Sequence, residues 1–104
     1  MYVYRFLNSS NEIIYIGRSK DIIKRLNHQH FTPNGHLPKE CYNEVKEVYI
    51  SPLEDEVAMS IYEKYYISKF KPKYNVQYKN DKILTFELPE VKWELYKLKE
   101  EQIE

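Results

Sequence analysis

The sequence predicts one small α/β (α+β) domain, in which a three-stranded antiparallel sheet is flanked by helices. Short runs of aromatic and β-branched residues near the start of the chain are typical of strands. A later stretch with apolar residues at helical spacing predicts a long helix. The chain of 104 residues is long enough for a single hydrophobic core, and its 15% aromatic share makes disorder improbable despite 31% charged residues.

The first elements form a predicted hairpin followed by a short helix. Residues 2–7 and 12–17 are strand-like, and the turn-forming cluster over residues 8–11 joins them into an antiparallel pair. Ser19 is a candidate N-cap for a helix over residues 20–30, where the apolar residues fall on one face. A polar loop over residues 31–38 follows it.

The second half contains the clearest helix. Residues 45–50 predict a third strand, and residues 54–70 predict a helix that Pro72 prevents from continuing. Beyond a polar link, residues 83–88 are consistent with a short strand. Residues 91–102 predict a charged amphipathic helix at the end of the chain, with Val91, Leu95 and Leu98 as its apolar stripe.

Charge is distributed unevenly although the net charge is zero. Residues 1–80 carry twelve Lys and Arg against nine Asp and Glu, a balance of +3, whereas residues 81–104 carry four against seven, a balance of −3. A mildly basic body is consistent with a polyanionic ligand, and an ordinary solvated surface gives similar numbers. Cys41 is alone, which excludes an internal disulfide and predicts a reduced, cytoplasmic protein. We expect no signal peptide and no membrane-spanning segment.

One set of motifs carries the functional prediction. The set consists of Tyr2-Val3-Tyr4, Tyr15-Ile16-Gly17, Arg25 ten residues after Tyr15, Glu63 in a tyrosine-rich helix, and Pro72-Lys73-Tyr74-Asn75. In its order and spacing it resembles the GIY-YIG nucleases over about residues 1–76. Tyr2 stands where the family name has glycine. On this resemblance the chain divides into a nuclease domain over residues 1–79 and an acidic strand and helix extension over residues 80–104.

The resemblance implies a metal-dependent endonuclease that hydrolyses DNA phosphodiester bonds. Its implied catalytic set is Tyr4, Tyr15, Arg25, His30 and Glu63. The Glu63 carboxylate would bind Mg²⁺ or Mn²⁺, because both ions prefer oxygen ligands. Arg25 would present forked donors to a phosphate oxygen on which charge develops. Tyr4 is the expected base or water-positioning residue, with Tyr15 completing the network.

Each residue also has a simpler interpretation. Tyr4 and Tyr15 could be a packed cross-strand pair, and Arg25 and Glu63 could be solvated helix residues. Structural roles are expected for two residues. Gly17 would provide a permissive backbone before the first helix, and Asn75 would be a turn residue at the end of the second. The common order and spacing of all these residues favours the nuclease.

The histidines depart from the family pattern. Many members have a histidine one helical turn after the arginine, a position that Gln29 occupies here. The neighbours His28 and His30 each project about 100° away from it around a helix axis. His30 could reach the site if the backbone bends. His36 is expected at the surface or against DNA.

Phosphate contacts are expected from basic side chains in and beyond the hairpin. The candidates are Arg18, Lys20, Lys24, Lys39, Lys71 and Lys73. Because of Gln29, a nucleic-acid-binding module with an impaired catalytic site stays open as an alternative. A second alternative is a structural or inhibitory protein that acts through the acidic tail. The tail could also form a homodimer contact.

Overall fold

Four strands form one antiparallel sheet in the order β2-β1-β3-β4 in the computed structural model, which describes residues 1–32, 35–79 and 84–97. The strands are β1 (Tyr2–Leu7), β2 (Ile13–Ser19), β3 (Glu47–Pro52) and β4 (Glu94–Tyr96). The predicted α/β class is confirmed. The sheet contains one strand more than the three that the sequence predicted.

The predicted hairpin is the centre of the sheet. Strand β1 pairs with β2 on one side and with β3 on the other, which places Tyr4 opposite Gly17 and Phe6 opposite Tyr15. The turn is held by the Asn8 side chain, whose oxygen accepts hydrogen bonds from two backbone N–H groups of the turn. The hairpin therefore fixes the spacing between the first two motifs.

Three helical segments lie between or after these strands. They are a π-helix (Lys24–His30), helix α1 (Lys39–Glu44) and helix α2 (Glu56–Phe70). The sequence did not predict α1. Helix α2 agrees with its prediction within two residues. Asp55 caps its N-terminus by accepting from the Ala58 N–H, and Lys71, in the left-handed conformation, ends it just before Pro72.

The prediction for the last part of the chain was wrong over the described residues. Residues 84–93 contain no strand, and residues 94–96, expected in a helix, form β4. Two physical reasons account for this. Strand β3 would otherwise leave its backbone groups unpaired at a sheet edge. Trp93 packs on the face of the sheet that α2 covers, whereas Tyr96 packs on the opposite face. Extended chain places residues an odd number of positions apart on opposite faces of a sheet. The rest of the predicted strand and helix, Ile83 and residues 98–102, lies outside the described residues.

Two hydrophobic cores cover the two faces of the sheet, and β1 contributes to both. The aromatic face contains Tyr4, Phe6, Ile14, Ile22, Leu26, Cys41 and Val48. The helix face contains Val3, Ile16, Tyr65, Tyr66 and Ile67, covered further by Leu84, Leu88, Val91 and Trp93. The segment 84–96 therefore completes the same fold, although the family-like motifs end earlier.

Cys41 and the helices bear on two further expectations. The Cys41 side chain is free and fully buried on α1, and burial raises the pKa of its thiol to about 12. The thiol is consequently protonated at physiological pH. None of the helices in the described ranges combines the length with the apolar composition that a membrane span requires.

Candidate active site

A buried imidazole bridges two phenols on the aromatic face. The Tyr4 hydroxyl lies 2.6 Å from His30 Nε2, and the Tyr42 hydroxyl lies 2.9 Å from His30 Nδ1. Neither Tyr4 nor His30 is exposed to solvent. Burial lowers the pKa of His30 to about 3, so the imidazole is neutral at physiological pH. The sequence predicted His30 in the site, but nothing in the sequence indicated Tyr42.

The π-helix explains how His30 reaches this position. Its C-terminal bond runs from the Phe31 N–H to the Leu26 carbonyl, an i to i+5 hydrogen bond of 3.0 Å. A π-helix has about one more residue per turn than an α-helix. His30, five residues after Arg25, therefore lies one turn above Arg25, where an α-helix would have placed the fourth residue, Gln29. His30 is therefore inside, whereas Gln29 is exposed. His28, the other candidate, is exposed as well.

Gly17 makes room for the Tyr4 ring. A Cβ at position 17 would lie 3.0 Å from Tyr4 Cε1 and closer still to Cζ and the hydroxyl. The φ angle of Gly17 is not positive, so the permissive backbone expected from the sequence is not the reason for glycine here. The reason is the close approach of a phenol across the strand pair.

A cleft of about 380 Å³ opens beside Tyr15. Glu63 from α2, His36 from the loop before α1, and residues 74–78 line it together with Tyr15. Glu63 Oε1 lies 3.4 Å from Arg18 Nε, and only 16% of the Glu63 side chain is exposed. Burial raises the pKa of Glu63, and the Arg18 charge opposes that rise. The nearby positive charge therefore does not fully offset the cost of burying this carboxylate.

Arg25 is the electrostatic centre of the site. Its charge lowers the pKa of five groups, although burial has a larger effect on each of them. The five groups are Tyr4, Tyr15, His30, His36 and Glu63. The pKa of Tyr15 is raised by burial and by the nearby Glu63. The Nε atom of Arg25 is buried and has no hydrogen-bond partner among the described residues. The residue also lines a groove, so its guanidinium can present its remaining N–H groups to an anionic ligand.

Asn75 closes the exposed edge of the sheet next to Tyr15. Its side-chain oxygen accepts from the Ile16 N–H, and its Nδ2 donates to the Ile16 carbonyl, both over 2.9 Å. The Tyr74 backbone N–H donates to the Ile14 backbone carbonyl over 3.0 Å, on the same strand. The motif therefore holds the chain after α2 against β2 and so builds one wall of the cleft. Its structural role is this docking to the strand.

Comparisons with known proteins agree with this geometry. The family model described as the GIY-YIG catalytic domain matches residues 1–75. The chain belongs to the GIY-YIG family. The resemblance inferred from the sequence is thereby confirmed, as is the assignment to a family of nuclease enzymes.

Named relatives of this GIY-YIG domain are much longer proteins. It is 34% identical over 82 residues to the UvrABC system protein C of Aliivibrio salmonicida and to that of Vibrio cholerae. The match covers 77% of this chain and 13% of each relative. The crystal structure of the N-terminal GIY-YIG endonuclease domain of UvrC from Thermotoga maritima, a point mutant bound to the catalytic divalent cation, is similar with a TM-score of 0.65. It is 30% identical, covering 73% of this chain and 82% of that one.

A groove of about 720 Å³ is connected to this cleft through Arg18, which lines the groove and pairs with Glu63. It runs between the end of β2, the π-helix and the first turns of α2, and Arg18, Lys20, Lys24 and Arg25 line it. Lys20 forms an ion pair with Glu56 across the groove. Four basic side chains against two acidic ones, Asp21 and Glu56, give the groove lining a balance of +2 and a mildly positive field.

Three predicted phosphate contacts are not among the residues that line this groove. Lys39 lies at the start of α1. Lys71 and Lys73 do not line this groove but a separate cleft at the hairpin turn, where Lys73 Nζ lies 2.9 Å from Glu44 Oε2. The reason is the left-handed turn at Lys71, which directs the chain after α2 back to β2. The sequence missed His36 as a residue of the cleft, because its loop has no regular spacing to the other motifs.

The donor set suits one divalent ion rather than a cluster. Among the described residues no three His, Cys, Asp or Glu side chains come together as a metal site. Glu63 alone offers a carboxylate, with raised pKa, to the cleft. Mg²⁺ is commonly bound through one or two carboxylates with water and substrate phosphate completing its shell. The residues present therefore fit a single hard cation.

Proposed function

We propose that this domain hydrolyses phosphodiester bonds of DNA with one divalent ion, Mg²⁺ or Mn²⁺, bound by Glu63. The observation that carries the proposal is the position of Arg25, which lines the basic groove while its charge acts on Tyr15 and on Glu63. A phosphate bound by Arg25 in the groove would therefore lie within the field of the Tyr15 phenol and the Glu63 carboxylate, which line the cleft. The similar Thermotoga maritima structure is described as an endonuclease domain bound to a catalytic divalent cation, which supports the proposal.

The roles of the two hairpin tyrosines follow from their exposure. Tyr4 is completely buried, so it is badly placed to contact a water molecule itself. Tyr15 lines the cleft with Glu63 and is the better candidate to orient the attacking water. Because its pKa is raised, Tyr15 would accept a proton from that water only if a bound cation lowered the pKa of the phenol. Tyr4 would support Tyr15 from behind. This assignment exchanges the roles that the sequence suggested for the two residues.

The remaining charges complete the mechanism. Arg25 would bind a non-bridging oxygen of the scissile phosphate, where negative charge develops. A bound divalent ion would supply Lewis-acid polarisation of the phosphate. Arg18, Lys20 and Lys24 would hold the DNA backbone along the groove, without reading its sequence.

The alternative of an impaired binding module rested on Gln29. The π-helix places His30 against Tyr4, so the substitution at position 29 does not deprive the site of an imidazole. Arg25 and Glu63 also retain the charges that a phosphate and a metal require. These contacts support an active enzyme over a binding module.

Plasmid nicking tests the proposal. Purified protein is incubated with supercoiled plasmid in Mg²⁺, Mn²⁺ or chelator, beside Glu63→Gln and the matched control Glu56→Gln. Glu56 lies on the same helix and lines the groove, but not the cleft. We expect metal-dependent nicking that falls at least about a hundredfold in Glu63→Gln, and near wild-type rates in Glu56→Gln. DNA binding without cutting would favour the binding module.

Thermal denaturation gives a second measurement that needs no substrate. Burial disfavours the Glu63 carboxylate, so Glu63→Gln should raise the melting temperature in chelator. Mn²⁺ should stabilise the wild type and leave this variant unchanged, because binding to the native state alone shifts unfolding. Equal stabilisation of both proteins by Mn²⁺ would place the metal elsewhere.

Three expectations remain predictions. These are the cytoplasmic location, a homodimer formed through the acidic tail, and a domain boundary near residue 79. Light scattering on the full chain and on a chain ending at residue 97 would test the homodimer, because residues 98–104 contain three of the tail's acidic groups.

A further inference from the structure

We propose that Tyr42 is a positioning residue of the nuclease site, which holds His30 in the tautomer with its proton on Nε2. The proposal rests on the proposed function only for its kinetic consequence. Tyr42 lies on α1, within the residues that match the family model but between the motifs that predicted the site. It is not among the described residues that line the cleft or the groove. Its action on the reaction therefore has to pass through another residue.

Two groups lie within hydrogen-bonding distance of the Tyr42 hydroxyl, so that three groups in all have to be satisfied. The Leu37 backbone N–H donates to this oxygen over 3.1 Å, and a backbone amide can only donate. The other close group is His30 Nδ1 at 2.9 Å. If Nδ1 carried the proton, the Tyr42 oxygen would accept twice, and its own proton would face no acceptor among the described residues. The arrangement that satisfies all three groups has Tyr42 donating to Nδ1.

This choice fixes the other side of the imidazole. A neutral imidazole carries one proton, so with Nδ1 as an acceptor the proton lies on Nε2. Nε2 then donates to the Tyr4 oxygen over 2.6 Å. The hydroxyl proton of Tyr4 is thereby left to point away from His30. The Tyr15 ring lies beside the Tyr4 ring, with their centroids 6.2 Å apart.

The surroundings of Tyr42 keep its hydroxyl in place. A Cβ at Gly35 would lie 2.7 Å from the Tyr42 hydroxyl oxygen, so only glycine lets the loop pass this closely. The Phe31 ring packs edge-on against the Tyr42 ring, with centroids 5.4 Å apart. The ring is therefore confined from two sides, as expected for a residue that orients a partner.

Nitrogen NMR of the histidine side chains tests the tautomer directly. The chain has three histidines, and spectra of His28→Gln and His36→Gln assign the signals of the remaining His30. In the wild type at pH 7 we expect a protonated Nε2 and an unprotonated Nδ1 for His30. In Tyr42→Phe we expect a shift towards a mixture of tautomers. A wild-type spectrum with the proton on Nδ1 would overturn the proposal, even if the variant does not fold.

Cleavage kinetics give the second readout. Tyr42→Phe should lower kcat roughly fivefold to tenfold, the value of one hydrogen bond, with KM unchanged because Tyr42 does not line the groove. The matched control is Tyr62→Phe, which removes a hydroxyl that donates to the Pro89 carbonyl on the helix face. It should leave kcat unchanged. Tyr42→Phe with an unchanged tautomer and kcat would overturn the proposal.

These two readouts separate the proposal from the proposed function. If the wild type cleaves no DNA under any condition, the proposed function fails, and the NMR result still decides the tautomer. If the wild type cleaves DNA and Tyr42→Phe behaves like Tyr62→Phe, only the role of Tyr42 is lost.

Discussion

The two faces of the sheet both contain buried or half-buried tyrosines, but their hydroxyls have different partners. On the aromatic face, Tyr4 and Tyr42 bond to the two nitrogens of His30. On the helix face, Tyr62 donates to the Pro89 carbonyl and Tyr66 accepts from the Val91 N–H. The first set connects three titratable side chains. The second set attaches the segment after residue 84 to α2.

The difference shows that a tyrosine-rich composition does not by itself indicate chemistry. A phenol bonded to a peptide group has a partner that does not titrate, so it contributes stability. A phenol bonded to an imidazole can take part in proton transfer, because the partner both donates and accepts. Substitutions on the aromatic face should therefore affect catalysis, and those on the helix face should affect folding.

The largest effect is expected for Gly17→Ala on the aromatic face. The new methyl group would overlap the Tyr4 ring, which has to move. We expect cleavage to fall about a hundredfold through misplacement of the tyrosine pair, and the free energy of unfolding to fall by about 1 to 3 kcal/mol. Plasmid nicking and urea denaturation measure the two losses.

Adding Tyr4→Leu to Gly17→Ala provides the control. The smaller side chain should recover part of the stability and none of the activity, since it relieves the overlap but removes the phenol. Unchanged stability and activity in Gly17→Ala alone would mean that the two strands move apart at little cost. The close approach of Gly17 to the Tyr4 ring would then not be required for activity.

A comparable loss of stability, without a catalytic defect, is expected for Trp93→Ala on the helix face. The Trp93 indole packs against the Tyr66 ring and over the Arg5 guanidinium, 4.3 Å from its ring centre. Truncation should lower the free energy of unfolding by about 3 kcal/mol. Cleavage per folded molecule should stay within about twofold of wild type at room temperature. A large catalytic loss would contradict the separation of the two faces.

An effect confined to acidic pH is the pH dependence of stability caused by His30. The unfolded histidine binds a proton near pH 6.5, whereas the folded one stays neutral until the pH falls to about 3. Between these values the unfolded state binds more protons, so stability falls as the pH falls, by about 1.4 kcal/mol per pH unit. His30→Gln should flatten this slope in urea denaturation from about pH 6.5 to 4. An equal slope in both proteins would show that His30 is protonated when folded.

The sequence predicted the parts of the site that depend on local spacing. Residue patterns within single elements predicted the hairpin that carries Tyr4 and Tyr15 and the helix that carries Glu63. The resemblance to the family selected Arg25 and Glu63 from among the helix residues. His30 was predicted on the condition that the backbone bends. The structure meets this condition with a π-helix, and no residue pattern distinguishes that from an α-helix.

Features that depend on tertiary contacts were not predictable in this way. Tyr42 and His36 enter the site from a short helix and a loop, and their distance from the motifs along the chain gives no signal. Val91 and Leu95 lie at helical spacing, but the unpaired edge of β3 makes a strand the better solution over Glu94–Tyr96. Local propensity was overruled by the neighbouring strand.

The buried thiol on α1 has a practical consequence for labelling. Maleimide dyes react with thiolates, and Cys41 is both inaccessible and held protonated. A cysteine introduced by Val76→Cys, at a side chain that is 90% exposed beside the cleft, would therefore accept a fluorophore selectively. The native protein needs no cysteine removal before such a probe reports the arrival of a bound oligonucleotide.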